Sequence, residues 1–513
     1  MSDLSVSSYR GAVYPLDLTA EPYRSDHTKT VKTLLDTCAH YIVRDAQATL
    51  NAVKVIPGDL CFSLMKAALL ENRDRSVHVL ISSWPFHMLS LKSLAPNLYA
   101  SALSLYNNTH QKKMSLLGIR FAALVAHAFS RCLMRSQGNM KLRYLDLTGF
   151  VSMEVVTKFM SSQCQLAHNE TRQKVVISMY EEVTKDMPES AKVNYKVGEL
   201  IPDGCYGVKL DVCIDSVNAH AEICKALVIS RFRNCTFKLY LNKIDATFLG
   251  EVKLKVLLDL VDPAHLTGLR LQFNSLGEHG ILHLVDSISR LTNLTALDLS
   301  CNGIHFFHHQ DSCDKVAEML ASLPNLTRLD LSNNRVKTRL RQLVANLSQS
   351  LEYLAVAGCC LTVSDVTYLS VSHHTSGLRE LDLSDNWCVG ENCRVLINLL
   401  SKLADKIMVL ELQNCNLADS QVTELLIVLP SLSKLCFLNL SCNTLSWSTS
   451  QQFIESATSL SSLKALQMSY PSECYSPQAF DHFSREAFHK HMTKIIEEHK
   501  TKTGSGFDLS LTE

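Results

Sequence analysis

LTALDLSCNGI, residues 294–304, has leucines at its first, fourth and sixth positions and an asparagine, Asn302, at its ninth. Seven other segments repeat this spacing, and the final one loses it after Met468. These segments begin at Leu266, Leu326, Leu351, Leu378, Ile407, Leu435 and Leu463. Successive segments start 25 to 32 residues apart, and this regularity indicates a tandem repeat.

The spacing matches L-x-x-L-x-L-x-x-N/C-x-L, the consensus of leucine-rich repeats. Each segment predicts a short strand in which Leu297 and Leu299, for example, point inward and Asp298 points outward. The remainder of each unit is long enough for a helix whose leucines cover the core, as in VTELLIVL at 422–429. Because one unit cannot bury its apolar face alone, the units must stack. The sequence therefore predicts an α/β leucine-rich-repeat solenoid, a horseshoe built from ribonuclease-inhibitor-like repeats, with an N-terminal helical region.

The ninth position of the repeats holds a residue that can hydrogen-bond backbone groups where the strand turns away. It is Asn302, Asn334, Cys359, Asn386, Cys415 or Asn443 in successive units. At Cys359 and Cys415 we also expect a small buried thiol that serves packing.

Composition excludes several classes of protein. Fifty basic and fifty acidic residues cancel, so a nucleic-acid surface is not expected. The sequence shows no signal-peptide-like core before Tyr23 and no apolar run of membrane-spanning length. Eighteen cysteines then favour reduced thiols in the cytoplasm or the nucleus. Without a C-x-x-C pair or a phosphate-loop, G-x-S-x-G or H-E-x-x-H motif, we expect no metal, no cofactor and no enzyme.

The chain divides into five predicted regions. They are a flexible tail at 1–27, a helical region at 28–137, irregular repeats at 138–250, regular repeats at 251–470, and a C-terminal cap and tail at 471–513. The cap contains one predicted helix, HFSREAFHKHMTKIIEEH, followed by a polar tail.

The first helix of the N-terminal region contains a docking motif. Thr33 and the residues after it fit [S/T]-L-x-x-x-C-x-x-x-[V/L/I], in which Leu34, Cys38 and Ile42 are four residues apart. This spacing places the three side chains on one face of a helix. A protruding leucine beside a small cysteine suits a helix that docks in a partner's groove. The motif resembles the box through which substrate receptors bind elongin C, in the elongin B/C pair.

A second motif follows closely. Ile56, Pro57, Leu60 and Leu64 fit Φ-P-x-x-Φ-x-x-x-Φ, which resembles the box associated with cullin-2 binding. The alternative is that both segments are ordinary amphipathic helices that cap the solenoid. The ordered pair, placed ahead of a repeat array, favours docking.

The order of blocks along the chain resembles a known family. IPGDLCFSLMKAALLENRDRSVHVLISSWPFHMLSL at 56–91 precedes LRYLDLTG at 142–149, the repeats and YPSECYSP at 470–477. This order is similar to the PRAME family (preferentially expressed antigen in melanoma), and within it to the leucine-rich-repeat-containing protein 14 branch. The Trp84-Pro85-Phe86 block is its most specific part. The resemblance implies an adaptor, either a substrate receptor of a cullin-2 ubiquitin ligase or a restraint on NF-κB signalling.

The concave face of the repeats is the expected surface for a target protein. By alternation, Tyr353, Val409 and Phe437 point outward from their strands. Large apolar groups exposed on a rigid scaffold mark contact sites, so we expect these three to bind the target.

Three hypotheses remain open at this stage. The first is a substrate-recognition subunit of a cullin-2/elongin B–C ubiquitin ligase, with an unidentified target on the repeats. The second is a non-enzymatic inhibitor or scaffold that binds a signalling protein, such as a component of NF-κB signalling, with no ligase attached. The third and least favoured is a transcriptional corepressor. Co-purification with elongins B and C discriminates the first from the other two.

Overall fold

The computed structural model describes residues 12–13, 33–94, 108–135, 140–149, 154–166, 174, 178, 206–231, 237–308, 310–475, 482–503 and 506–512. The chain forms two compact units. The repeat unit comprises residues 1–18, 250–255 and 267–513, and the N-terminal unit comprises residues 19–249 and 256–266.

The described part of the N-terminal unit begins with four short helices and continues with alternating strands and helices. Its first elements are α1 (Leu34–Ile42), α2 (Ala46–Val55), α3 (Leu60–Leu70), α4 (Asp74–Ser82), β1 (Met88–Ser90), α5 (Leu91–Leu94) and α6 (Asn108–Arg135). Then follow β2 (Tyr144–Asp146), α7 (Glu154–Leu166), β3 (Tyr206–Ile214), α8 (Val217–Ser230), β4 (Phe237–Ala246) and α9 (Glu251–Leu260). Strands β1 to β4 pair in parallel in chain order.

One feature of this unit, the strand β1, was not predicted. The region expected to be purely helical contains β1, which pairs with β2 through Leu89 and Leu145. Both leucines are fully buried, so the repeat-like core already begins at residue 88. Helix α4 ends at Ser82, because Pro85 cannot continue a helix.

Among its described residues, the repeat unit contains nine parallel strands in chain order. Their bounds and those of the helices between them are β5 (Gly268–Arg270), α10 (Gly277–Ser289), β6 (Ala296–Asp298), α11 (Gln310–Ala321), β7 (Arg328–Asp330), α12 (Leu340–Val344), β8 (Tyr353–Ala355), α13 (Val363–Val371) and β9 (Glu380–Asp382). The remainder are α14 (Cys388–Glu391), α15 (Cys393–Leu403), β10 (Val409–Glu411), α16 (Asp419–Val428), β11 (Phe437–Leu440), α17 (Trp447–Ala457), β12 (Ala465–Ser469), α18 (His482–Thr503) and β13 (Asp508–Thr512). Leu297, Leu329 and Leu354 stand opposite one another in β6 to β8 and are fully buried. The predicted inward face is confirmed.

The ninth-position side chains hydrogen-bond backbone groups where the strand turns away, as expected, and they also tie each turn to the unit before it. Asn302 Nδ2 donates to the carbonyl oxygens of Leu271 and Leu299 at 2.8 and 2.9 Å, and its Oδ1 accepts from the Asn274 amide at 3.0 Å. A cysteine at this position can also bond a backbone carbonyl: Cys359 Sγ lies 3.2 Å from the Leu331 carbonyl oxygen. Equivalent bonds are made by Asn334, Asn386, Cys415 and Asn443.

Both chain ends differ from the expected tails. The C-terminal cap helix is present as α18, but the residues after it form β13, which pairs with β12. Phe507, Leu509 and Leu511 supply the period of two that a strand needs, within a segment too short to stand out by composition. At the other end, Ala12 and Val13 are 0% and 2% exposed, so the predicted flexible tail is wrong at these two positions. The rest of that tail lies outside the described residues.

Among the described helices, none combines the length and the apolar character needed to cross a membrane.

Candidate protein-docking surfaces

Helix α1 starts with a capping box that involves the first residue of the elongin-type motif. The Asp36 amide donates to Thr33 Oγ1 at 3.1 Å, and Thr33 Oγ1 donates to Asp36 Oδ2 at 2.7 Å. The bond from the Thr33 hydroxyl holds the pKa of Asp36 below its usual value. The serine or threonine in the motif therefore has a structural role here, because it fixes where the helix begins.

The side chains of the motif lie on the outer side of α1. Leu34 is 81% exposed and Tyr41 is 76% exposed, Cys38 is exposed and Ile42 is partly exposed. We call these four residues the docking face. Ala39 and Val43, on the opposite side of the helix, are buried. Tyr41 was missed from the sequence because the motif leaves its position unspecified, although it lies seven residues after Leu34 and thus on the same face.

Polar contacts hold α1 to the helices behind it. His40 Nδ1 lies 2.9 Å from Glu71 Oε1, and Arg73 donates to Glu71 Oε2 at 3.0 Å. Burial alone would raise the pKa of Glu71, but the bonds from His40 and Arg73 outweigh burial and lower it. Just beyond α1, Ser76 Oγ donates to the Val43 carbonyl at 2.7 Å, a bond buried between α1 and α4. The docking face is therefore displayed by an anchored helix.

The cullin-type motif is only partly at the surface. Pro57 is exposed in the connection between α2 and α3, and Ile56 and Leu60 are partly exposed. Leu64 is 3% exposed and packs in the core of the unit. The sequence interpretation that Leu64 contacts cullin-2 directly is therefore corrected. Leu64 lies one turn after Leu60 on the same face of α3, so this face passes from partly exposed at Leu60 to buried at Leu64.

The Trp84-Pro85-Phe86 block supports this second motif. The Phe62 ring lies edge-on to Trp84 with centroids 5.0 Å apart, and 5.6 Å from Phe86. A Cβ atom on Gly58 would lie 3.2 Å from Phe86 and 3.3 Å from Pro85, so the turn after Pro57 packs closely on the block. The sequence analysis identified the block but did not predict that it packs against the second motif.

The concave-facing side chains of the repeat unit form a paired network at its centre. Arg328 Nη1 and Nη2 donate to the two carboxylate oxygens of Glu380 at 2.8 and 3.2 Å. The Arg328 guanidinium also lies 4.6 Å from the ring centroid of Tyr353, whose hydroxyl donates to Asp330 at 3.3 Å. Tyr353 was predicted for this surface, whereas Arg328 and Glu380 were not singled out.

The expectation of exposed apolar contacts at Val409 and Phe437 is wrong. Their side chains are 4% and 2% exposed. They face outward from their strands, but they stand opposite each other in the register, and adjacent strands are only about 4.8 Å apart. Each therefore packs against its neighbour instead of standing free.

The aspartates of the repeated L-D-L-S sequence lie along the same face, where Asp298 and Asp330 are buried and Asp382 is half-buried. Asp298, Asp330 and Asp382 each accept from the amide of the serine two residues later at 2.9 Å. Burial raises the pKa of Asp330 to about 8, and the neighbouring Asp298 carboxyl adds to the effect. Burial likewise raises the pKa of Asp382 to about 7. The face is therefore less negative near neutral pH than its sequence suggests.

Metal binding finds no support in the part of the chain that is described, where no group of three or more His, Cys, Asp or Glu residues could hold an ion.

Comparison with known proteins matches both ends of the chain to one family. The model described as the PRAME N-terminal domain matches residues 31–105, which include both motifs, and the PRAME C-terminal domain model matches residues 307–503. A model described as Leucine Rich repeat matches residues 290–305.

Relatives extend this similarity along the chain. Leucine-rich repeat-containing protein 14 of Xenopus laevis is 26% identical over 495 residues, covering 91% of this chain and 94% of the relative. The Homo sapiens protein of the same name is 25% identical over 460 residues, covering 86% of this chain and 88% of the relative. PRAME family member 8 of Homo sapiens is 30% identical over 139 residues, which is 27% of this chain and 29% of that protein.

Proposed function

Because this chain belongs to the PRAME family of leucine-rich-repeat proteins, we propose that it is the substrate-recognition subunit of a cullin-2/elongin B–C ubiquitin ligase. In this proposal the docking face of α1 binds elongin C, the turn at Pro57 contributes to cullin-2 binding, and the repeats hold the target protein. The chain itself is a non-enzymatic adaptor that works in the cytoplasm or the nucleus.

The observation that carries the proposal is the exposure of the docking face. Leu34 leaves about four fifths of its side chain in water, and Tyr41 about three quarters, on a nine-residue helix. Leaving such groups exposed forgoes the stabilisation that burial would give, about 1.5–3 kcal/mol for a leucine. The capping box and the contacts of His40 fix the helix in this orientation, which reduces the entropy lost on binding.

The second motif supports cullin-2 binding through Ile56, Pro57 and Leu60, all of which reach the surface to some extent. Leu64 contributes by holding α3 in place. Val55, which is 82% exposed beside this motif, extends the apolar surface and belongs to the same proposed contact.

The concave face supports target binding through Tyr353, which is partly exposed, rather than through Val409 and Phe437. Arg328 and Glu380, which are 9% and 7% exposed, are paired beside it. Arginine and tyrosine are the residue types that dominate protein interfaces. Their rigid, mutually paired arrangement on strands provides a preorganised surface.

Reconstitution of the full chain with purified elongin B–C and cullin-2 tests the proposal. The wild-type chain should bind elongin B–C, and the complex should then bind cullin-2. Leu34→Ala should lose both partners, whereas the double variant Pro57→Ala/Leu60→Ala should keep elongin B–C and lose cullin-2.

Ile427→Ala is the matched control for Leu34→Ala. Ile427 is 79% exposed on α16, so the substitution removes a similar apolar side chain from a different surface. It should leave both partners bound. If the wild-type chain fails to bind elongin B–C, the receptor proposal is wrong, and an inhibitor or scaffold without a ligase takes its place.

A further inference from the structure

Two residues from near the start of the chain, Ala12 and Val13, lie on the concave face of the repeat unit. Ala12 and Val13 are 0% and 2% exposed, and they belong to the same compact unit as the repeats. Arg328 Nε donates to the Ala12 carbonyl oxygen at 2.8 Å, across 316 residues of sequence. A segment with the composition of a loose tail is therefore held at the centre of the proposed target surface.

The contact has the chemistry of peptide recognition. Arg328 uses its two terminal nitrogens for Glu380 and its Nε for the Ala12 carbonyl, while Tyr353 packs against the guanidinium plane. Glu380 and Tyr353 thus orient the Nε donor of Arg328 that contacts Ala12. A main-chain carbonyl is a feature of every peptide, so this donor recognises backbone rather than a particular side chain.

The side chains of Ala12 and Val13 are also consistent with peptide recognition at this face. Alanine and valine are small and apolar, so the chain can approach the strands closely enough for the 2.8 Å bond. Their near-complete burial removes them from water and contributes to binding. The surface therefore selects a segment with small apolar residues and an accessible carbonyl.

We propose that Arg328, Tyr353 and Glu380 form a peptide-binding site that the segment containing Ala12 and Val13 occupies as an internal ligand. The further consequence, that a target must displace this segment, rests on the proposed function of the concave face. Occupancy of the site by the segment does not depend on it.

Attachment to the same chain makes the internal ligand a strong competitor. An intramolecular segment acts at an effective concentration on the order of millimolar. A free peptide with a Kd of roughly 10 μM for the empty site would then bind the intact chain roughly 100-fold more weakly.

A fluorescent peptide of residues 5–20 is the probe, and anisotropy with the full chain is the measurement. The wild-type chain should bind it weakly. The full-length variant Ala12→Glu/Val13→Glu should bind it tens of times more tightly, because burying two carboxylates at positions that are 0% and 2% exposed is unfavourable, so the internal segment leaves and the site is empty.

Adding Arg328→Gln to the double variant should abolish peptide binding, whereas adding Arg335→Gln, at an exposed arginine, should not. Equal affinity of the peptide for the wild-type chain and the double variant would overturn the proposal, as would no binding to either.

Hydrogen exchange gives an independent measurement if a substitution affects folding. In the wild-type chain the peptide spanning residues 12–13 should exchange tens of times more slowly than in the double variant, and equal exchange would also overturn the proposal. Neither assay contains elongin or a target, so their outcomes are separate from those of the ligase reconstitution.

Discussion

Replacing Asn302 with alanine should destabilise the repeat unit by about 2–6 kcal/mol. The substitution removes the donor to the Leu271 carbonyl and the acceptor of the Asn274 amide, at 2.8 and 3.0 Å. Leu299 keeps a bond to its carbonyl from Asn334 at 3.0 Å, so it should add little to the loss. Two buried groups therefore lose a partner, and each such loss costs about 1–3 kcal/mol.

Urea unfolding followed by circular dichroism measures this difference, with the free energy taken from the midpoint and slope of the transition. Asn325→Ala is the matched control, because the Asn325 amide makes one exposed bond to Thr292 O at 2.9 Å. It should change stability by less than about 0.5 kcal/mol. Asn302→Cys should lie between the two, since cysteine makes one equivalent bond at Cys359. If Asn302→Ala unfolds within about 0.5 kcal/mol of the wild-type chain, the bonds assigned to this position do not stabilise the repeats.

Three further outcomes are expected. Leu297→Asp, and equally Leu383→Asp, buries an unpaired carboxylate between stacked strands and should lower the unfolding free energy by several kcal/mol; near-normal thermal melting of either variant would contradict the assigned inward face. The pKa of Asp330 is raised to about 8 from 3.8, so its protonated form stabilises the fold at low pH, and this stability is lost as the pH rises from about 4 through 8. The melting temperature should accordingly fall between pH 5 and pH 8.5, with a smaller fall in Asp330→Asn, and the same pH dependence in both proteins would exclude Asp330 as its source. Mass spectrometry of alkylated protein from a reducing cytosol should find no disulfides, and several fixed bridges would overturn the assignment to the cytoplasm or nucleus.

The repeat architecture could be predicted because each unit encodes it locally. The leucines of β6 and the asparagine at its turn are set by a spacing that recurs in every unit, so both the inward face and the bonds of Asn302 follow from the sequence. Three residues of the docking face were predictable for the same reason, since Leu34, Cys38 and Ile42 are related by helical periodicity alone, whereas Tyr41 was missed.

The concave surface could not be predicted in the same way, because its state depends on contacts between distant residues. Alternation correctly placed Val409 and Phe437 outward from their strands, but it does not show that they cover each other. No local pattern relates Ala12 to Arg328, which contacts it across 316 residues. Strand β13 was missed because its three alternating apolar residues are few and follow a polar helix.

Isothermal titration of the full chain with purified elongin B–C tests the central claim most directly. Truncating Leu34, which is 81% exposed and would be buried on docking, should cost about 2–3 kcal/mol, or roughly 30- to 150-fold in Kd. Cys38→Phe should weaken binding as well by overfilling the groove, and Ile427→Ala should leave the Kd unchanged. If folded Leu34→Ala and Cys38→Phe variants bind elongin B–C with the Kd of the wild-type chain, α1 is only the first helix of a cap and the chain is not a receptor that docks through this helix.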